Sequence, residues 1–126
     1  MADGKRNAIN WFEIPANNFQ RAVKFYETIL GSSLHTSNMG GCDMAFLPAD
    51  EGKVGGAVIQ HGEVKPSGQG TRVYLNCNPD LAPILARVEA AGGKVEVPKT
   101  QITPEIGFFA FVIDSEGNRV GLHSMS

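Results

Sequence analysis

The chain has 126 residues, 42% of them apolar and 19% charged, the make-up of an ordinary globular domain long enough to bury a core. A net charge of -2 and a pI near 5.9, with charges scattered rather than in runs, exclude the basic surface that nucleic acid or anionic lipid requires. No apolar run approaches the roughly 20 residues that cross a bilayer, and Met1–Asn7 is polar, without the apolar core of a secretion signal. The expectation is a cytoplasmic protein whose two cysteines, Cys42 and Cys77, are reduced thiols outside any metal-type spacing.

Ile9 to Ala16 alternates around Phe12, Ile14 and Ala16 and predicts a half-buried strand. Asn17 and Asn18 are good caps for a helix whose apolar face is Phe19, Ala22, Val23, Tyr26, Ile29 and Leu30, and Gly31 supplies its stop. Leu34–Ser37, Asp43–Leu47 and Ala57–Gln60 read as three further strands, with Gly40-Gly41 and Gly55-Gly56 as turns. These glycine pairs lack the Lys and Ser/Thr of a phosphate loop. Pro66–Gly70 predicts a link. A strand at Arg72–Cys77 follows, then a helix from about Asp80 to Ala91 with Pro83 in its first turn and Gly92-Gly93 at its end. Strands near Val95–Val97, Phe108–Ile113 and Arg119–His123 complete the chain, the last two joined by a tight turn at Ser115–Asn118. The six apolar residues Phe108–Ile113 read as a buried strand.

The second half repeats the first weakly at an offset of 61 residues. Trp11-Phe12-Glu13-Ile14 overlies Arg72-Val73-Tyr74-Leu75, Gly31 overlies Gly92, Leu34 overlies Val95, and Gly56–Gln60 overlies Gly117–Gly121. Each half is strand, helix and three strands, so a four-stranded sheet has one face covered by its own helix and the other left over. Strand alternation assigns Phe12, Ile14, Val73, Leu75 and Cys77 to the helices, and Trp11, Glu13, Arg72, Tyr74 and Asn76 to a cleft.

Ile9-Asn10-Trp11-Phe12-Glu13-Ile14-Pro15, then Ala22-Val23-Lys24-Phe25-Tyr26 through Leu30-Gly31, resembles the first module of the vicinal oxygen chelate superfamily. That group includes glyoxalase I, bleomycin-resistance proteins and extradiol dioxygenases. Phe111–Leu122 resembles its last hairpin, and the likeness, greatest to the glyoxalase-related branch, runs over about residues 7–126. The resemblance implies an α+β fold in a single domain, 1–126. Two tandem βαβββ modules, about 7–65 and about 70–126, form an incomplete eight-stranded barrel around a cleft. It also implies a homodimer, and leaves open whether the modules pair within one chain or across two.

In the family, His and Glu side chains on the first and last strands of both modules hold a divalent metal. The matching positions here are Trp11, Gln60, Arg72 and Gly121. Trp offers only an N–H donor, Arg stays protonated, Gly has no side chain, and Gln60 offers one weak carbonyl oxygen. The expectation is therefore a small-molecule binder like the bleomycin-resistance members, without cofactor or metal, and with Trp11, Gln60, Arg72 and Tyr74 as ligand contacts. The alternative is a lyase, isomerase or dioxygenase-type enzyme. It would work through Glu13 and His123 without metal, or through a displaced site of Glu13, Gln60 and His123. A further alternative is a dimer whose main task is interaction. Glu13 reads either as a base or anchor, or as the ion-pair partner of Arg72. His35 and His61 read as structural or solvated.

Overall fold

The computed structural model describes residues 7–126; Met1–Arg6, most of the polar N-terminal stretch, lie outside the described residues. The fold is α+β, with two βαβββ modules that form an incomplete barrel around a cleft. The first module holds β1 (Trp11–Pro15), α1 (Phe19–Leu30), β2 (His35–Met39), β3 (Cys42–Phe46) and β4 (Gly55–Gln60), in sheet order β1-β4-β3-β2. The second holds β5 (Tyr74–Asn76), α2 (Ala82–Leu85), β6 (Lys94–Thr103), β7 (Gly107–Ile113) and β8 (Arg119–Ser124), in order β5-β8-β7-β6. In each module the first strand pairs parallel with the last, a pairing that needs the long crossover through helix and hairpin. β1 and β5 are therefore edge strands, and residues from both line one cleft.

Local chemistry sets the ends of α1. The Asn18 carboxamide accepts the Arg21 N–H at 3.1 Å, and Gly31 adopts the left-handed conformation (φ 67°) that closes the helix. Beyond the expected apolar face, Phe25 is also buried, because α1 packs on the second module as well: a Cβ on Gly93 would stand 2.5 Å from the Phe25 ring. Ile14, Ala16, Ala45 and Val58 of the first sheet join Leu75, Cys77, Val112, Val120 and Leu122 of the second in one hydrophobic cluster around α1, Leu81 and Val88. Each large side chain so buried contributes about 1.5–3 kcal/mol.

A buried polar clamp locks α1 to the β7–β8 turn. The Tyr26 hydroxyl donates to Asp114 at 2.7 Å, and Asp114 also accepts the Glu116 and Asn118 N–H groups. The Glu116 carboxylate accepts the Asn17 and Asn18 N–H groups at 2.9 and 2.7 Å and pairs with Arg21 at 2.7 Å. Asn118 reaches across to donate to the Pro15 carbonyl at 2.7 Å. These bonds tie the end of β1 and the start of α1 to the second module. Burial works to raise the Glu116 pKa, but Arg21, Ser115 and the two backbone N–H groups together hold it below the ordinary carboxylate value.

Four sequence expectations need correction. Gly55 and Gly56, read as a turn, are the first residues of β4 and pair with Trp11 and Phe12. The second helix is a single α-turn, Ala82–Leu85, after which Arg87, Val88, Ala91 and Gly92 donate to carbonyls three residues back in tight turns rather than continuing to Ala91. The strand expected at Val95–Val97 runs on to Thr103, with register shifts around Pro98 that let a proline sit in an exposed edge strand. The repeat offset is not constant. It is 61 at Ile14/Leu75 and Ala16/Cys77, but Ala57 faces Glu13 where Gly121 faces Tyr74, which makes it 64 in the last strands. Ala16 N–H to the Ile59 carbonyl (2.7 Å) and Cys77 N–H to the His123 carbonyl (2.8 Å) are matching bonds under both offsets. The counterpart of Gly121 is therefore Ala57, and that of Gln60 is Ser124.

Candidate functional site

Between β1 and β5 lies a cleft of about 740 Å³. Trp11, Phe12, Leu30, Arg72, Tyr74 and Ile84 supply much of its wall. Gly56 is required beneath it, since a Cβ there would stand 2.5 Å from the Phe12 ring. Trp11, 45% exposed, meets Phe46 edge-on (centroids 6.1 Å apart), and its indole N–H donates to the Glu13 carboxylate at 3.2 Å. Arg72 places its guanidinium 4.9 Å from the centre of the Phe111 ring and forms no ion pair among the described residues.

Of the residues that alternation assigns to a cleft, Trp11, Arg72, Tyr74 and Asn76 line this one. Phe12, Val73 and Leu75, assigned to the helices, line it too, because the cleft runs along the edge strands β1 and β5 and reaches both of their faces. The Glu13–Arg72 ion pair does not form: Glu13 is held by the indole N–H, and Arg72 is stacked on Phe111. Glu13 instead lines a separate recess of about 190 Å³ with Lys65, Ser67, Asn118 and Arg119. Gln60 does not face the cleft. It lies one residue beyond Ile59, which pairs with Pro15 on the open face, so its side chain turns to the helix side. There its oxygen accepts the Phe19 N–H at 2.6 Å and its amide donates to the Asn17 carbonyl at 2.9 Å. Ser124, its counterpart, accepts the Leu81 N–H at 2.9 Å before α2. The two equivalent residues thus serve the N-terminal ends of the two helices.

His123 lines a third recess of about 560 Å³ with Tyr74, Ile102, Phe109 and Phe111. Its Nε2 lies 2.7 Å from the Ile106 carbonyl oxygen, which can only accept, so Nε2 carries the proton. Tyr74 lines both this recess and the large cleft, and its ring crosses Gly121, where a Cβ would stand 2.5 Å away. Phe109 and Phe111 were hidden within the apolar run Phe108–Ile113. The register shows alternation inside it: Phe109 and Phe111 lie opposite His123 and Gly121, whereas Ala110 and Val112 enter the core. Reading that parity from the pair Gly121 and His123 would have found them.

Burial pushes the Cys77 thiol up to about 11, and burial, with Glu13 and Asp43 nearby, raises Cys42 too, so neither is a ready nucleophile. Among the described residues no three His, Cys, Asp or Glu side chains gather where an ion could be held. The positions that resemble the family's metal ligands do not fit a cation. Trp11 presents its N–H to Glu13, Arg72 is a cation and Gly121 has no side chain, while Gln60 caps α1 and Ala57, which the register makes the counterpart of Gly121, has no donor atom. The displaced set of Glu13, Gln60 and His123 is not brought together, because Glu13 and His123 line different recesses and Gln60 serves the helix.

The sequence matches the profile of the Glyoxalase/Bleomycin resistance protein/Dioxygenase superfamily over residues 8–122. A glyoxylase-like domain-containing protein of Didymella fabae is 30% identical over 115 residues, which is 87% of this chain and 88% of that one. Among solved structures, a glyoxalase/bleomycin resistance protein from Albidiferax ferrireducens superposes with a TM-score of 0.66 at 18% identity, covering 92% of this chain and 97% of that one. A glyoxalase I mutant from Zea mays gives 0.69 at 23% identity. The match covers 91% of this chain but 46% of the maize one, so this chain spans about half the maize protein's length.

Proposed function

Because the chain belongs to the glyoxalase/bleomycin resistance protein/dioxygenase superfamily, we propose that it binds a small organic molecule in the cleft between its modules, without a divalent metal. The carrying observation is the cleft itself: about 740 Å³, walled by Trp11, Phe12 and Tyr74, with a guanidinium at its edge that no carboxylate neutralises among the described residues. An aromatic wall favours a ring by stacking, and an unpaired arginine favours an anionic substituent.

Trp11 is the single tryptophan and lines the cleft, so its emission reports directly on occupancy. Titrating chelator-treated protein with a panel of small organic acids should give a saturable change for at least one, weakened in Arg72→Gln. No change with any of them, or a stoichiometric transition metal in protein never exposed to chelator, would sink the reading. Catalysis through Glu13 and His123 has less support, since the two line separate recesses and each is already hydrogen-bonded. Turnover of the methylglyoxal–glutathione adduct by metal-reconstituted protein would reverse that preference.

A homodimer belongs to the same proposal. Ile9, Met39 and Ile106 expose large apolar side chains, 51–59% accessible. Contact with a second copy would cover one or more of them. Light scattering at micromolar concentration tests it: a monomer mass unaffected by Met39→Glu would remove the dimer.

A further inference from the structure

The two modules have diverged on their open faces, and the corrected offset shows how. Phe46 lies opposite Ala57 as Phe111 lies opposite Gly121, and Met44 lies opposite Ile59 as Phe109 lies opposite His123. In the first module Met44, Ala57 and Ile59 fill their face and are buried, with Trp11 and His35 bracketing Phe46. In the second, Gly121 has no side chain and His123 is drawn aside to the Ile106 carbonyl, and a hollow of about 560 Å³ remains. Its walls are aromatic, with Phe109 and Phe111 edge-on at 5.3 Å and Tyr74 and Phe111 tilted at 5.7 Å.

The polar groups at this hollow are few and of definite character. His123 carries its proton on Nε2, so the neutral ring offers Nδ1 as an acceptor. Arg72 lines the neighbouring cleft rather than the hollow itself, but its guanidinium lies 4.9 Å from the centre of the Phe111 ring that walls the hollow, and Tyr74 lines both. No carboxylate lines the hollow. We propose that this hollow in the second module is the recognition site for a planar aromatic anion, its acidic group held by Arg72 and an O–H or N–H substituent donating to His123. Tyr74, laid across Gly121, divides it from the cleft and sets how much of the ligand reaches there. The proposal rests on the reading that the chain binds a small organic molecule, and it names the chemical class and half of the site that molecule would use.

Calorimetric titration with three probes tests it: 6-hydroxy-2-naphthoate, 2-naphthoate, which lacks the donor, and 2-naphthol, which lacks the acid. The hydroxynaphthoate should bind one per chain. Loss of the acid should weaken it about tenfold, and loss of the hydroxyl about fivefold, as expected for one charged and one neutral hydrogen bond. Arg72→Gln should abolish the preference for the acid while leaving 2-naphthol unchanged, and His123→Phe should abolish the preference for the hydroxyl. Equal affinity for all three probes, or unchanged preferences in both variants, would overturn it. If Trp11 emission still responds to an organic acid in that case, the cleft reading stands and this one falls. If nothing binds in either experiment, both fall.

Discussion

Removing the Glu116 carboxylate should loosen the join between the modules by an amount the structure allows to be worked out. Glu116→Ala strips the acceptor from two backbone N–H groups, those of Asn17 and Asn18, at the start of α1. A donor left without a partner costs about 1–3 kcal/mol when buried. Asn17 and Asn18 lie at the surface, where water recovers part of that, so the lower half applies to each. The sum, about 2–4 kcal/mol, is a large share of the roughly 5–15 kcal/mol typical of a domain. Urea unfolding at pH 7 followed by circular dichroism should show the midpoint falling by that amount at unchanged slope. Glu116→Gln keeps an oxygen for the two N–H groups and should lose less. Its behaviour with pH carries a sign. The folded-state pKa of Glu116 lies below its ordinary value, so the carboxylate's contribution is complete above that ordinary value, near 4.5. It is lost as pH falls through the folded value. The stability gap between the native chain and Glu116→Gln should therefore be constant above about pH 5 and shrink below it. Full stability of Glu116→Ala at pH 7 would refute the clamp.

Gln60→Ala removes the cap at Phe19 and should cost about 0.5–2 kcal/mol, measured in the same unfolding assay, without altering ligand binding. Tyr26→Phe leaves Asp114 without its buried hydroxyl partner and should cost about 1–3 kcal/mol. Gly121→Ala would drive a methyl into the Tyr74 ring, so calorimetry should show altered affinity for cleft ligands while the fold, read by circular dichroism, is kept. Gly56→Ala would press on Phe12 from below and should narrow the cleft, with the same calorimetric readout.

What the sequence made legible follows the range of the forces involved. Asn18 and Gly31 act on their own helix, so the ends of α1 could be read directly. The parity of β1 and β5 also followed from alternation, because one face of each strand is buried at Ile14 and Leu75. Gln60 was misplaced because a weak repeat aligned at one offset hides three extra residues in the second module, and in a strand an odd shift turns every side chain over. Long-range competition was equally invisible. Nothing local says that Glu13 will accept from Trp11 rather than pair with Arg72, or that Arg72 will stack on Phe111 from a different strand. The strand read near Val95–Val97 stops short of the full β6 because its apolar alternation ends at Pro98, while the edge of a sheet tolerates both the proline and the polar run after it.

The most direct measurement is the affinity of the cleft for an organic acid, followed by Trp11 emission before and after exhaustive chelation. Saturable binding with the same dissociation constant in both samples, weakened by Arg72→Gln, is the predicted result. Binding that vanishes on chelation and returns with a divalent ion would contradict a metal-free cleft.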